Sequence, residues 1–232
     1  MLTLRKHNER GHANHGWLDS HHTFSFGNYH DPAHTHFRNL RVINDDRVMP
    51  GTGFGTHSHQ DMEIISYVVD GAIAHKDSMG HVSVLRKGEV QRMSAGTGLT
   101  HSEYNHSDSE VLRFLQIWVL TEQKDLTPEY EQKSYVDRLK PNELCLLVSA
   151  EGRDDSVRIH QDLNLYTAHM TKDGMLDYPV PAERYTWLQL VNGDVTVNGQ
   201  TMQTGDGLAI SDERSLKIVS QQAAELLIFD LA

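Results

Sequence analysis

The sequence predicts an all-β protein made of two similar barrel or sandwich domains. Three observations carry this. Short alternating or β-branched runs recur along the whole chain, most of them bounded by Gly, Asn or Asp. Helical apolar periodicity is nearly absent, so helices should be few and short. One pattern, a strand, a tight turn, a returning strand and then a Gly–acid step, occurs once in each half.

Taken in order, residues 39–44 alternate apolar and polar and read as a strand. Residues 62–69 are β-branched and aromatic and run into Asp70-Gly71, a hairpin signal. Further strands are expected over 72–77, 81–85, 90–94 and 111–120. In the second half they are expected over 144–149, 163–170, 184–191, 194–197, 207–211, 215–220 and 225–230. Residues 128–140 are polar without an apolar stripe and read as the linker. The expected division is therefore 1–132 and 133–232.

The repeat aligns Tyr67-Val68-Val69-Asp70-Gly71 with Gln189-Leu190-Val191-Asn192-Gly193, and Lys87-Gly88-Glu89 with Thr204-Gly205-Asp206. Counting back equally from the two turns sets His57 against Pro179, His59 against Pro181 and Glu63 against Tyr185. His160 and His169 lack the i, i+2 spacing. The second half is expected to hold no metal.

Composition narrows the function. With 21 Lys+Arg against 32 Asp+Glu the formal charge is −11, which disfavours direct contact with a nucleic-acid backbone. Cys145 is the one cysteine and sits in the apolar run Leu144-Cys145-Leu146-Leu147-Val148, so it reads as a buried small hydrophobe in a reducing compartment. The N-terminus has no apolar signal region and no stretch is long enough to span a bilayer. The expectation is a cytoplasmic protein without membrane contact. Of 16 histidines, His7, His12, His15, His21, His22, His30, His34 and His36 fall in the first 36 residues. They could form a second metal site, but no repeated ligand spacing with flanking strand signals stands out there, and surface or hydrogen-bonding roles are the simpler expectation.

Two pairs do have ligand spacing: His57-Ser58-His59 and His101-Ser102-Glu103. Residues two apart on a strand face the same way, so each pair aims two side chains into one cavity. If the strands are neighbours, three imidazoles and a carboxylate converge, a set suited to iron, copper, nickel, manganese or zinc. Glu63, at i+4 from His59, would share its face if the strand is unbroken. Spacing alone permits either Glu63 or Glu103 as the fourth ligand.

Gly51, His57, His59, Glu63 and Gly71 resemble the first cupin motif with one extra residue before Gly71. Gly88, Gly96, His101 and Asn105 resemble the second, with Ser94 where proline is common and two extra residues before the histidine. Gly16-Trp17-Leu18-Asp19-Ser20-His21-His22-Thr23-Phe24-Ser25-Phe26, Gly55-Thr56-His57-Ser58-His59-Gln60-Asp61-Met62-Glu63 and Met93-Ser94-Ala95-Gly96-Thr97-Gly98-Leu99-Thr100-His101-Ser102-Glu103 narrow the resemblance to the pirin family. Nearly the whole chain is covered, and the match is to bacterial pirin-like proteins with quercetin 2,3-dioxygenase activity.

That resemblance implies a bicupin, two tandem β-barrel or jelly-roll domains with few short helices and metal only in the N-terminal one. It implies His57, His59, His101 and Glu103 as ligands, with Glu103 also the proton acceptor and Glu63 a neighbour that orients a histidine ring. One divalent transition metal ion is expected, iron first, with copper, nickel, manganese and zinc as alternatives. The implied reaction opens the central ring of a quercetin-like flavonol with O2 and releases carbon monoxide. Phe54, Met93, Leu115 and Ile117 are candidates for the apolar walls, with core packing the competing role of each. The alternatives are a non-enzymatic metal-binding regulator acting through protein partners, and an inert bicupin. A bicupin supplies internally what a partner subunit supplies to single cupins, so a monomer is expected.

Overall fold

The strand-forming runs emerge as strands in the computed structural model, which describes residues Met1–Ala232. In chain order they are β1 (Leu2–Arg5), β2 (Gly11–Asn14), β3 (Leu18–His22), β4 (Leu40–Val48), β5 (Gly53–His59), β6 (Met62–Asp70), β7 (Ala72–Asp77), β8 (Val82–Arg86), β9 (Glu89–Ser94), β10 (Leu99–Asn105), β11 (Leu112–Leu120) and β12 (Glu129–Ser134). Then follow β13 (Leu144–Ser149), β14 (Val157–Arg158), β15 (Leu163–Met170), β16 (Met175–Pro179), β17 (Tyr185–Asn192), β18 (Asp194–Val197), β19 (Gln200–Gln203), β20 (Gly207–Ile210), β21 (Ser215–Ser220) and β22 (Ala224–Leu231). Helical structure is limited to single 3-10 turns at His7–Glu9, Val136–Arg138 and Arg153–Asp155.

The chain forms two bodies. The first comprises Gly11–Val136 and Val157–Gln161, the second Met1–Arg10, Asp137–Ser156 and Asp162–Ala232. In the first, one sheet has the order β12-β9-β6-β11-β4-β3-β2 and the other β5-β10-β7-β8. In the second, β1-β20-β17-β22-β15-β13 run side by side and the smaller sheet is β16-β21-β18-β19. The orders β9-β6-β11-β4-β3 and β20-β17-β22-β15-β13 correspond, as do the two smaller sheets, so the repeat seen in sequence is a repeat of topology. Gly71 and Gly193 turn the corresponding strands at φ +82° and +90°, and a Cβ on either would press on the Cα of Leu112 or Ala224.

These limits differ from the division at 132/133. Residues 1–10 belong to the second body, because Leu2–Arg5 pair with Gly207–Ile210. Residues 128–140 are not a free linker. Glu129–Ser134 pair with Glu89–Ser94 as an edge strand, a place that asks for backbone pairing and no apolar stripe. The histidine-rich N-terminal segment also supplies strands, β2 and β3, which extend the larger sheet of the first body.

Each body is filled by its inward-facing strand residues. In the first, Leu18, Val48, Val68, Ile73, Leu85, Leu112 and Phe114 pack together, and Ile64, Met93, Ala95 and Leu99 form a second group. In the second, Leu176, Tyr178, Met202, Leu216 and Ile218 belong to one large apolar core. There Pro179 faces Ser215 in the ladder, at the place where His57 faces His101 in the first body.

Candidate metal centre

β5 and β10 are antiparallel neighbours with His57 directly opposite His101. The ladder bulges next to this pair, since Glu103 faces Phe54 while His101 faces His57. A bulge re-aims side chains locally. Here it brings the Gly55 carbonyl within 2.8 Å of His57 Nδ1. A carbonyl only accepts, so Nδ1 carries the proton and the Nε2 lone pair of His57 is left to point inward.

The three imidazoles converge. His57 Nε2 and His59 Nε2 each lie 3.0 Å from His101 Nε2. With His57 Nε2 unprotonated, at most one of these two contacts can be a hydrogen bond, because one shared proton cannot serve both. A cation accepting all three lone pairs satisfies the whole group, so these residues fit a bound metal ion. Burial, then the neighbouring imidazoles, push His101 down to about 3. Burial, then His57, push His59 down to about 4. Both rings are thus neutral near pH 7, the state in which imidazole binds metal. His101 Nδ1 is buried without a hydrogen-bond partner.

Glu103 follows His101 by two residues and faces the same cavity. One of its oxygens lies within 4.8 Å of a His101 nitrogen. Its carboxyl is fully enclosed. Ser66 Oγ donates to Oε1 at 3.0 Å and Gln116 Nε2 to Oε2 at 2.7 Å. Burial raises its pKa to about 7 against the lowering effect of those two donors. Glu63 is elsewhere. Asp61, at φ +48°, breaks the strand between His59 and Glu63, so the two do not share a face. Glu63 instead accepts from Ser94 Oγ at 2.9 Å and the His160 backbone N–H at 3.3 Å, and no imidazole of the centre is among its partners.

The centre opens into a cavity of about 610 Å³. Phe54 lines it as expected, but Met93, Leu115 and Ile117 are buried and do not. Its aromatic walls are Phe26, Tyr29 and Trp118. Phe26 meets Trp118 edge-on at 5.4 Å, and Trp118 meets His59 edge-on at 5.0 Å. A polar strip completes the wall: Ser20 and His22 on β3, Asn44 and Asp46 on β4, and Gln116 on β11. Ser20 Oγ donates to Asp46, whose pKa burial raises to about 7. Sequence reasoning missed Ser66, Gln116, Asn44 and Asp46. The available signal was polar side chains in the middle of strands whose other residues are buried.

Behind His101, the buried His75 is held by Asp77 Oδ2 at 3.2 Å from its Nε2 and by Gln91 Nε2 at 3.3 Å from its Nδ1. Both its nitrogens are occupied, so it serves the centre as packing.

The chain matches the family model for pirin over residues 3–119 and that for the quercetinase C-terminal cupin domain over residues 146–231. It is 51% identical to a quercetin 2,3-dioxygenase of Escherichia coli K12 over 231 residues, covering 100% of this chain and 99% of that one. It is 42% identical to a putative quercetin 2,3-dioxygenase of Pasteurella multocida, with both chains covered completely. The crystal structure of a bacterial pirin from E. coli in complex with nickel(II) superposes with a TM-score of 0.94 at 50% identity, covering 100% of this chain and 99% of that one. Full-length identity to these relatives and the pirin match across the body that holds the three-histidine centre lead to one assignment: the chain belongs to the pirin family.

Proposed function

We propose that the chain is a metal-dependent quercetin 2,3-dioxygenase, with His57, His59, His101 and Glu103 holding one divalent transition metal ion. The observation that carries this is the convergence of three imidazole Nε2 atoms at the floor of an aromatic-walled cavity. The relatives named quercetin 2,3-dioxygenase and the nickel(II)-bound pirin support it. Once bound, the cation supplies Lewis acidity toward a substrate oxygen, favouring the ionised 3-hydroxyl of a flavonol.

The chain's own residues do the rest. Phe26, Tyr29, Phe54 and Trp118 offer apolar faces to a flat polycyclic substrate. Glu103, once it loosens from the cation, accepts the 3-hydroxyl proton. Ser66 and Gln116 fix its two oxygens. The electron-rich flavonolate reacts with O2, the central ring opens to a depside, and one ring carbon leaves as carbon monoxide. Iron is the first choice of metal from the sequence resemblance, with nickel an equal candidate on the nickel(II)-bound relative.

The test is to load the metal-free protein with each metal in turn and give it quercetin under O2. Bleaching of the flavonol absorbance with equimolar carbon monoxide is the expected result, lost in His57→Ala and Glu103→Ala. No bleaching with any of the five metals would remove the proposal and leave the regulatory reading.

A further inference from the structure

We propose a second cation site, formed by His12, Asp19 and His21 on the β2–β3 hairpin and taking a divalent ion of the copper, nickel and zinc class. Its construction repeats that of the inner centre. Asp19 and His21 are two apart on β3, as His57 and His59 are on β5, and so share one face. His12 on β2 stands directly opposite His21, as His101 stands opposite His57.

The donor atoms are already together. His12 Nε2 is 2.8 Å and His21 Nδ1 3.6 Å from the same oxygen, Asp19 Oδ1. One donor atom from each residue lies within 4.8 Å of the other two. The two rings stack with centroids 4.5 Å apart and planes 22° apart, and a turn of one ring about its Cβ–Cγ bond is needed to aim both in-plane lone pairs at one ion. Two imidazoles and one carboxylate suit Cu(II), Ni(II) and Zn(II), with copper the strongest binder by intrinsic affinity. Side-chain exposures of 51%, 33% and 29% leave the remaining coordination positions to water. The three inner histidines share no residue with this group, so the two sites load independently.

The position gives the site a consequence. β2 is the edge strand of its sheet. On the same hairpin Ser20 and His22 line the cavity, and so does His12. A cation joining His12 to His21 ties the edge strand to its neighbour and so stiffens this part of the cavity wall.

The experiment counts cations by calorimetry on metal-free protein titrated with Zn(II) and with Cu(II). Wild type is expected to bind two equivalents and His12→Gln/His21→Gln one. His57→Gln/His59→Gln is expected to keep one, and its addition should slow amide hydrogen exchange over residues 11–22. Should that inner variant not fold, Asp19→Asn with the inner centre intact is the substitute and is expected to lose the second equivalent. A stoichiometry that is the same in wild type and in His12→Gln/His21→Gln overturns the proposal, whereas one equivalent in wild type that is lost in this variant supports it and counts against the inner centre.

Discussion

Gln116 Nε2 donates to Glu103 Oε2 at 2.7 Å, joining the middle of β11 to the end of the ligand pair on β10. The donor stabilises a carboxylate that burial otherwise disfavours. Gln116→Leu would leave that oxygen enclosed without a partner. The expected cost is on the order of 1–3 kcal/mol in urea unfolding of the metal-free protein at pH 8. At pH 5, where the acid is protonated, the cost should be smaller.

Asp46 gives a pH dependence of definite sign. Its folded pKa, about 7, stands above the ordinary 3.8, so the native state binds more protons than the unfolded chain between those values. Its contribution is present in full below pH 4 and is lost as pH rises through 7. Asp46→Asn stays neutral and still accepts from Ser20. The variant's Tm should therefore exceed that of the wild type at pH 8 and lose that advantage at pH 4, as thermal melts of the metal-free protein would show.

His59 and His101 act in the opposite sense. Their folded pKa values lie below the ordinary 6.5, so stability falls as pH drops through 6.5 toward 4. His101→Gln removes one such group, and the acid limb of a Tm–pH curve for the metal-free protein should flatten.

Phe26 tests the aromatic wall. It packs edge-on against Trp118 and lines the cavity. Phe26→Ala removes flat apolar surface without touching the imidazoles. Quercetin binding, read by quenching of tryptophan fluorescence, should weaken by about tenfold, or about 1.4 kcal/mol, with bound metal unchanged.

Cys145 is buried, and burial raises its thiol pKa. Alkylation by iodoacetamide at pH 8 should proceed only after denaturation. Rapid labelling of the folded protein would contradict the packing described for β13.

Strand positions were legible where alternation or β-branching was strong. Residues 72–77, 144–149, 163–170, 194–197 and 215–220 coincide with β7, β13, β15, β18 and β21. The placing of His57 with His59, and of His101 with Glu103, on one face followed from two-residue periodicity, and the structure adds that the two strands are neighbours. Three edge strands were not legible. β1, β2 and β12 are held by backbone pairing to one neighbour and need no apolar pattern. Glu63 does not share a face with His59 because the chain leaves β5 at His59, turns through the left-handed Asp61 and enters β6 in the other sheet, a change that periodicity does not register. Ser66 and Gln116 look like ordinary strand residues until β10 is laid across them.

The pairing of Leu2–Arg5 with Gly207–Ile210 has a consequence for biosynthesis. Leu2–Arg5 leave the ribosome long before Gly207–Ile210, their pairing partner, exist. A C-terminal fragment begun at Asp137 would lack that strand and expose the free edge of β20, a ready template for association between copies. Adding a peptide of the first ten residues in trans should cover that edge and restore solubility. Leu2–Arg5 thus serve as a closing seam, one that cannot form until β20 has been made.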